Sequence, residues 1–371
     1  MRVGLIGCGL IGKRRAEVVC RSPGDELVCL ADADHGKAAA VAEALGCIPV
    51  ADWRQVTARD DLDAIIVSTP NKYLAPISVA ALEARKHVLC EKPPGRNLQE
   101  AAWMAEAAAR AGKVLKIGFN HRHHPAIRKA HEACRLGLIG APMFLRAVYG
   151  HGGRPGYERE WRADPELSGG GELLDQGIHI VDLCRWFLGE FSEVFGWTPT
   201  CFWGRNGAGP LSAGNSKPPL GAPVEDNAFA LMRTSTGQVA EWHTSWTQWK
   251  NRFSFEVFGS EGYVRVEGLG GSYGGETLVV GRRRRASGPP AEERFDFQGP
   301  DLSWDAEWRE FVSSLSEGRR PVASKAHRRR EPSEDHQRHP RCASHRSPPK
   351  GLSRPREKHR NARLAAVTST G

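Results

Sequence analysis

Residues 2–12, RVGLIGCGLIG, decide the fold of this chain. The first six form an apolar run that ends in glycine, as a buried parallel strand does, and helix-forming sequence follows. Between the two, Gly7, Gly9 and Gly12 have the spacing GxGxxG. Alone this spacing is a weak signal, because glycines also mark ordinary tight turns. In the order strand, glycines, helix, it predicts a dinucleotide-binding turn with the pyrophosphate at the helix N-terminus.

An acidic residue lies where this interpretation requires one. Asp32 ends the second apolar run, where a carboxylate can accept hydrogen bonds from an adenosine ribose. The same carboxylate would repel a 2′-phosphate, so NAD is the favoured cofactor. His35 and Lys37 nearby leave NADP as an alternative.

Strand-like and helix-like segments alternate through the first 120 residues. Further apolar runs occupy 27–32, 64–70, 87–93 and 114–120, and the helix-like segments occupy 36–45, 77–84 and 98–112. Short connections between such segments imply right-handed βαβ units and a doubly wound parallel sheet. We therefore predict a Rossmann domain over residues 1–120.

The periodicity changes after residue 121. A helix-like segment at 126–136 leads toward two stretches, 228–246 and 252–268, in which apolar and polar residues alternate. This period of two, with the turn signals TG and SEG, is typical of antiparallel strands. Residues 121–320 are predicted to form a second, α+β domain on an antiparallel sheet. Residues 204–223 are loop by composition.

Composition bounds the class of protein. The 371 residues are 40% hydrophobic, enough for two packed domains. No apolar run approaches the roughly 20 residues needed to cross a bilayer, and we expect a cytoplasmic protein without membrane contacts. The nine cysteines are scattered and never spaced as CxxC, so neither a disulfide framework nor a zinc ribbon is predicted.

The net charge of +9 belongs to one end of the chain. Residues 321–371 contain thirteen Lys+Arg and four Asp+Glu, so residues 1–320 carry equal numbers of each sign. A neutral body argues against a nucleic-acid partner. The segment from about residue 324 is rich in Arg, His, Ser and Pro and has hardly any apolar periodicity, so we expect it to be disordered or foreign to the fold.

Two stretches carry candidate chemistry. Lys92 follows the strand predicted at 87–93 and would project from the carboxyl edge of the sheet, where doubly wound folds bind ligands; a solvated loop lysine is the alternative. In residues 173–182, LLDQGIHIVD, a helix would place Asp175, His179 and Asp182 along one stripe. A metal site has plausible spacing here, but nothing else points to further ligands, and we predict none.

A glycine-rich loop precedes that stretch and looks too rich in glycine for regular structure. Residues 149–172 include Tyr157, Trp161 and Arg162. Aromatic side chains and arginine around a polyol pocket would suit a sugar ring or, through the arginine, an anionic sugar or nucleotide sugar. A loop that merely packs on the following helix is an equally good interpretation.

Several of these segments together resemble the Gfo/Idh/MocA oxidoreductase family, which includes glucose-fructose oxidoreductase and inositol dehydrogenase. They are GCGLIG at 7–12, STPN at 68–71, EKP at 91–93, GFNHR at 118–122 and GGGELLDQGIHIVD at 169–182. The resemblance covers roughly residues 1–320. It implies a Rossmann domain followed by an α+β domain whose large open antiparallel sheet supplies the substrate pocket and an interface for homo-oligomers.

The resemblance also implies roles for individual residues. Lys92, Asp175 and His179 match the catalytic positions. The residues that match the cofactor site are Gly7, Gly9, Leu10, Ile11, Gly12, Asp32, Thr69, Pro70, Asn71, Glu91 and Lys92. Asn120 and Arg122 match the segment crossing into the second domain and, with the loop residues Tyr157, Trp161 and Arg162, are the predicted substrate-binding residues. Family members often carry histidine where this chain has Leu74, so some contacts differ there.

The predicted reaction follows from these roles. Oxidation of a secondary alcohol requires removal of the hydroxyl proton as hydride leaves carbon for the nicotinamide, and imidazole is a suitable base near neutral pH. His179 is the predicted base, Lys92 would stabilise charge on the same oxygen, and Asp175 would orient the substrate. Asp182 is expected to pair with nearby groups and support the site.

Two other functions remain open from the sequence: a dinucleotide-binding regulatory protein without turnover, and an NAD-dependent glycosidase of the same family. The set Lys92, Asp175 and His179 favours an NAD(P)-dependent dehydrogenase of a sugar, polyol or nucleotide sugar, since a mere binder has no need of a base. Where the family continues with a helix and a closing strand, this chain has its basic segment. We hypothesise that the reading frame or the end of the gene has changed after about Ala323, which resequencing of the coding DNA would test.

Overall fold

The computed structural model describes residues 1–203 and 224–317. The strands are β1 (Arg2–Ile6), β2 (Glu26–Ala31), β3 (Ile48–Val50), β4 (Ala64–Val67), β5 (His87–Glu91), β6 (Leu115–Gly118), β7 (Pro142–Gly150), β8 (Phe191–Trp197), β9 (Asn227–Thr234), β10 (Val239–Ser245), β11 (Arg252–Gly259), β12 (Gly262–Glu267), β13 (Glu276–Arg282) and β14 (Ala291–Phe297). The α-helices are α1 (Leu10–Arg21), α2 (His35–Leu45), α3 (Trp53–Thr57), α4 (Asn71–Glu83), α5 (Leu98–Ala111), α6 (Pro125–Arg135), α7 (Pro165–Ser168), α8 (Ile178–Leu188) and α9 (Ser303–Ser316).

The first six strands form the predicted doubly wound parallel sheet. Their order is β3-β2-β1-β4-β5-β6, and every neighbouring pair is parallel. Strands β2 and β3 are added on one side of β1, and β4 to β6 are added on its other side. The glycine turn after β1 therefore lies at the switch point, where such sheets bind ligands. The sequence prediction missed β3 and α3, because three and five residues are too short to show a period.

The other strands form one eight-stranded sheet in the order β14-β13-β12-β11-β7-β10-β9-β8. Its pairs are antiparallel, as predicted, with one correction: β7 and β10 run parallel in the middle of the sheet. Helices α6 and α8 pack on one face and share a core with the strands, which includes Ile127, Leu183, Phe255 and Val266. The stretch at 173–182 therefore leads into α8, one of the two helices that cover this sheet.

Helix α9 returns to the first domain. Trp304, Trp308 and Phe311 of α9 are buried in the same core as Val3 and Leu5 of β1. Burial of an apolar side chain of this size stabilises by roughly 2–3 kcal/mol, so the three together anchor α9 on the Rossmann domain. The chain thus crosses between the two sheets twice.

Two predicted segments lie outside the described residues: the loop at 204–223 and the basic segment after about residue 324. The cysteines within the described ranges are free of disulfides. None of the helices in these ranges has the length and apolar content needed to span a bilayer.

Candidate active site

The turn between β1 and α1 contains three glycines, and the structural reason for glycine differs from one position to the next. Gly7 has φ +96°, in the region that favours glycine. A Cβ on Gly12 would lie 1.8 Å from the carbonyl oxygen of Gly7, so the helix can pack on the turn only without one. A Cβ on Gly9 would meet no atom of the described residues within 4 Å, so none of them requires glycine there. The open backbone is compatible with the close approach of a ligand that the sequence predicts.

The carboxylate of Asp32 is held in place beside this turn. It accepts hydrogen bonds from the backbone N–H of Cys8 at 2.6 Å and of Asp34 at 2.9 Å. Asp32 follows β2, which pairs with β1. The Asp32 carboxylate and the N-terminus of α1 therefore lie at the same edge of the sheet. This arrangement fits a dinucleotide with its ribose on Asp32 and its pyrophosphate on the turn.

Lys92 and Asp175 meet across the two domains. The Lys92 Nζ atom donates to Asp175 Oδ1 at 2.8 Å and also to the Asp175 backbone carbonyl. Lys92 follows β5 directly and is joined to Pro93 by a cis peptide bond. The lysine therefore projects from the carboxyl edge of the sheet, as predicted, and it is not a solvated loop lysine, since its side chain is only 20% exposed.

Three further side chains lie close to the carboxylate of Asp175. Its Oδ2 atom lies 3.4 Å from the Tyr157 hydroxyl and 3.3 Å from the Trp246 indole nitrogen, and Arg162 Nε lies 3.6 Å from Oδ1. Burial alone would raise the pKa of Asp175, but the charges of Lys92 and Arg162 outweigh it and hold that pKa well below its ordinary value. The carboxylate is therefore ionised and fixed in direction.

The backbone around Asp175 corrects the prediction of one regular helical stripe. Residues Leu173–Gly177 form a π-helical turn, and α8 begins only at Ile178. A π turn adds one residue per hydrogen-bonded ring, so Asp175 is displaced from the line that continues through His179 and Asp182. Such turns occur often at functional sites.

His179 is buried, and its surroundings keep it neutral. Burial lowers the pKa of His179 well below its ordinary value, and the positive charge of Lys92 lowers it further. Its Nδ1 atom is buried and has no hydrogen-bond partner among the described residues. The imidazole ring stacks on that of His121 with centroids 3.8 Å apart. The neutral form can accept a proton.

Asp182 binds Arg122. The guanidinium group of Arg122 donates to both carboxylate oxygens of Asp182 at 2.6 Å, and it lies over the Trp186 ring at 5.3 Å. Asp182 thus pairs with a neighbouring cation, as expected. Arg122, which the sequence predicts to bind substrate, is engaged in this pair, and its contact with substrate stays a prediction.

Other predicted residues are placed as follows. Asn71 donates from Nδ2 to the backbone carbonyl of Ser168 at 2.8 Å, which links the two domains beside the site. Thr69 and Pro70 precede α4; the Thr69 hydroxyl is buried and lacks a hydrogen-bond partner within the described ranges. Asn120 donates to the Ser303 hydroxyl at 3.0 Å. The roles of these residues toward cofactor and substrate stay predictions.

Glu91 takes part in a buried cluster one residue before Lys92. Arg15 Nε donates to Glu91 at 2.8 Å, and Arg15 Nη2 lies 2.7 Å from Glu307 of α9. The contact with Glu307 lacks hydrogen-bond geometry and is an ion pair only. Helix α9 is thereby tied to the strand that presents Lys92, whereas the cofactor contact predicted for Glu91 stays a prediction.

The loop at 149–172 is more regular than predicted. It contains 3-10 turns at Tyr157–Arg159 and Trp161–Ala163 and the short helix α7. Tyr157 is buried against Trp246 with ring centroids 5.0 Å apart, and the Arg162 guanidinium lies 4.7 Å from the centre of the Trp161 ring. Two polar groups of this loop, the Tyr157 hydroxyl and the Arg162 guanidinium, lie beside Asp175. Leu74 is fully buried in the first domain's core.

Three residues of this site were not predicted from the sequence. His121 lies within the quoted GFNHR segment, and Glu172 lies within GGGELLDQGIH, but only the fold brings them beside His179 and Asp175. Trp246 ends an alternating strand pattern and had no signal of its own. Within residues 1–203 and 224–317, no group of His, Cys, Asp and Glu is arranged to hold a metal ion.

Two family models match the chain. The model described as "Oxidoreductase family, NAD-binding Rossmann fold" matches residues 1–119, and the model described as "GFO/IDH/MocA C-terminal domain" matches residues 127–265. Together they cover the parallel sheet, the second sheet from β7 into β12, and the three residues Lys92, Asp175 and His179.

Curated relatives match over most of their length. A levoglucosan dehydrogenase of Pseudarthrobacter phenanthrenivorans is 29% identical over 283 residues, 71% of this chain and 73% of the relative. A 1,5-anhydro-D-fructose reductase of Ensifer adhaerens is 32% identical over 267 residues, 70% of this chain and 74% of the relative. An inositol 2-dehydrogenase of Rubrobacter xylanophilus is 29% identical, with 73% and 72% covered.

Solved structures share the fold. A levoglucosan dehydrogenase in complex with NADH and L-sorbose superimposes with a TM-score of 0.76 at 24% identity, covering 86% of this chain and 90% of the other. An oxidoreductase domain protein from Kribbella flavida gives a TM-score of 0.73 at 26% identity, with 86% and 91% covered.

Proposed function

The chain belongs to the Gfo/Idh/MocA oxidoreductase family, and on that basis we propose that it oxidises a secondary alcohol of a sugar or polyol with NAD, using His179 as the base. It is an NAD(P)-dependent oxidoreductase of the class whose relatives are sugar and polyol dehydrogenases and reductases. The observation that carries the proposal is the convergence of Lys92, Asp175 and His179 where the carboxyl edge of the parallel sheet meets the second domain.

The residues that would hold the cofactor are those of the glycine turn and Asp32. Gly9 leaves its backbone open to the pyrophosphate, and the N-terminus of α1 favours negative charge there. Asp32, fixed by Cys8 and Asp34, would accept the ribose hydroxyls. When bound, NAD supplies the hydride acceptor.

His179 would take the hydroxyl proton of the substrate. Its ring is neutral, so it can accept a proton, and its buried Nδ1 atom leaves Nε2 as the nitrogen that faces a reactant. Proton removal by a positioned base contributes about 10²–10⁴-fold to a rate of this kind. The flat neighbours Phe119 and His121 hold the ring in one plane.

Lys92 would donate a hydrogen bond to the same substrate oxygen. Its ammonium group is already oriented by Asp175 and needs no reorganisation as negative charge develops on that oxygen. Asp175, held by Tyr157, Trp246 and Arg162, would accept a hydrogen bond from a neighbouring substrate hydroxyl. An ionised carboxylate selects a donor, which a sugar or polyol offers at each carbon.

The cofactor preference rests on Asp32. A carboxylate fixed at this position would lie where NADP carries its 2′-phosphate, so we infer that NAD binds more tightly. Titration of the purified chain with each cofactor tests the inference, with Asp32→Ser as the variant. Loss of the carboxylate charge should reduce the ratio of NAD affinity to NADP affinity. Tighter binding of NADP than of NAD to the unmodified chain would overturn the inference.

The uncovered face of the eight-stranded sheet has exposed apolar side chains of the kind found at interfaces between subunits. Opposite α6 and α8, strands β8 and β9 expose Phe195, Trp197, Phe229 and Leu231 beside a concavity of 850 Å³. An apolar patch of this kind on a sheet face is typical of a protein interface. We infer that a second copy of the chain covers it, as a homo-oligomer would.

A substrate screen tests the proposed function. The purified chain is mixed with NAD or NADP and with inositols, hexoses, 1,5-anhydro sugars, uronates or nucleotide sugars, and reduced nicotinamide is followed by absorbance. Reduction with one class of secondary alcohol is the expected result. NAD binding without turnover of any of them would favour a regulatory protein. Cleavage of a glycoside without net reduction would favour a glycosidase.

A further inference from the structure

His121 stacks face to face on His179. The ring centroids are 3.8 Å apart and the planes are inclined by 24°. Both side chains are buried, at 6% and 5% exposure. His121 comes from the 3-10 turn Asn120–His123 that follows β6, whereas His179 belongs to α8. The contact therefore joins the connection between the domains to the proposed base.

The hydrogen bonds of His121 define its tautomer. The Asn120 side chain donates from Nδ2 to the hydroxyl of Ser303, so its oxygen is the atom 3.2 Å from His121 Nδ1. With an acceptor at that distance, Nδ1 of His121 carries the proton. The Nε2 atom is then an acceptor, and it is buried without a hydrogen-bond partner among the described residues.

Charged and titratable groups face this pair from several elements. Lys92 follows β5, His124 immediately precedes α6 and Tyr149 lies on β7, while Asp175 in the π-helical turn acts on Tyr149. His124 itself lies 3.1 Å from Glu276 of β13. Burial lowers the pKa of His121 well below its ordinary value, and His179 and His124 lower it further, so the stack consists of two neutral rings.

We propose that His121 is the positioning residue of the base: its neutral ring fixes the plane of His179 and keeps water away from that ring. The role requires no contact of His121 with substrate or cofactor. It rests on the proposed function only in naming His179 as the base; the stack and its effect on His179 are independent of the substrate.

Two variants test whether a flat ring at position 121 is what positions His179. His121→Ala removes the ring and lets water reach His179, whereas His121→Phe keeps a flat ring that cannot titrate. His131→Ala is the matched control, because His131 is also a stacked histidine, 3.8 Å from the Trp186 ring, and lies outside the site. Melting temperatures and NAD affinities of all three establish that each variant folds.

The first readout is the pKa of His179, followed by NMR of the full chain with 15N-labelled histidine. Loss of burial in His121→Ala should raise that pKa, and His121→Phe and His131→Ala should leave it low. The second readout is steady-state kinetics with the substrate found by the screen. Misplacement of the base in His121→Ala should lower kcat by about 10²-fold with little change in KM, and Phe should restore most of it.

An unchanged pKa of His179 in His121→Ala would overturn the proposal, whether or not a substrate is known. Equal kcat values for His121→Ala and the unmodified chain would also overturn it. Absence of turnover in the unmodified chain would count against the proposed function alone, since the NMR result still decides whether His121 controls His179. If His121→Ala fails to fold, the Phe variant decides: a raised pKa and a lost kcat in a folded Phe variant contradict positioning by a ring.

Discussion

The Nζ atom of Lys92 lies 2.8 Å from the Oδ1 atom of Asp175, which joins the end of a parallel strand in one domain to a π-helical turn in the other. Both side chains are largely buried, and the low pKa of Asp175 means that the pair is ionic. Neither domain alone contains the pair. The contact between Lys92 and Asp175 therefore exists only when the two domains are docked.

This pair should show strong coupling in a double-mutant cycle. Lys92→Met or Asp175→Asn alone should lower the free energy of unfolding by on the order of 3 kcal/mol, because each leaves a buried group without its partner. The double variant should lose less than the sum of the two, with a coupling of about 1–3 kcal/mol from urea denaturation. The exposed pair of Arg233 and Glu193 is the control and should couple by less than about 1 kcal/mol. Equal coupling in both pairs would contradict the buried ionic contact.

Gly9 should matter to the cofactor and not to the fold. Gly9→Ala adds a Cβ into space free of protein atoms, so the melting temperature should stay the same while the Kd for NAD rises at least about tenfold, ~1.4 kcal/mol. Gly275→Ala is the control, since Gly275 is equally unobstructed and lies away from the turn. Calorimetric titration gives the Kd values. Unaltered NAD affinity in Gly9→Ala would argue that the ligand does not approach this turn.

Glu172 should make stability depend on pH. It is fully buried, and its carboxylate oxygens have no hydrogen-bond partner within the described residues. Burial raises the pKa of Glu172 well above the ordinary 4.5, and the charge of Asp175 raises it further. The folded chain keeps this proton where the unfolded chain has lost it, so the stabilising contribution is complete below about pH 4.5 and declines as pH rises toward the folded pKa.

Glu172→Gln cannot lose that proton. From pH 5 upward, its stability should gain on that of the unmodified chain by up to about 1.4 kcal/mol per pH unit until the folded pKa is passed. Urea denaturation at each pH measures the difference, with the exposed residue in Glu166→Gln as the control. A difference that is constant from pH 5 to 8 would show that Glu172 ionises normally in the folded chain.

The open sheet face should control the oligomeric state. Sedimentation equilibrium should give a multiple of the 40.7 kDa chain mass, and Phe195→Asp with Trp197→Asp should return the single-chain mass. Both side chains are more than two-thirds exposed in one chain, so their loss leaves the fold itself intact. Leu136→Asp, at an exposed leucine beyond α6, is the control and should keep the assembly. A measured mass equal to that of a single chain for the unmodified protein would rule out this interface.

The sequence predicted those parts of the fold that local patterns specify. Apolar runs, glycine spacing and the period of two gave the parallel sheet, the glycine turn and most of the second sheet. The parallel pairing of β7 with β10 left no local signal, because pairing between distant segments is a tertiary choice. The return of α9 to the first domain is hidden in the sequence for the same reason.

Site residues that belong to a sequence motif could be predicted. Residues that reach the site only through tertiary packing could not. Lys92 and His179 were named by their match to motifs of the family. The π-helical turn at Asp175 did not, because an apolar pattern of this length predicts an ordinary helix. His121 resembled any polar residue after a strand until the fold stacked it on His179.

The most direct test of the central claim is the rate of NAD reduction by His179→Ala with the substrate found by the screen. We predict that kcat falls by about 10²–10⁴-fold while the Kd for NAD, measured by calorimetric titration, stays within error of the unmodified chain. Removal of the base leaves the glycine turn and Asp32 in place, so binding and chemistry should separate. Full turnover by His179→Ala, or loss of its NAD binding together with turnover, would contradict the assignment of His179 as the base.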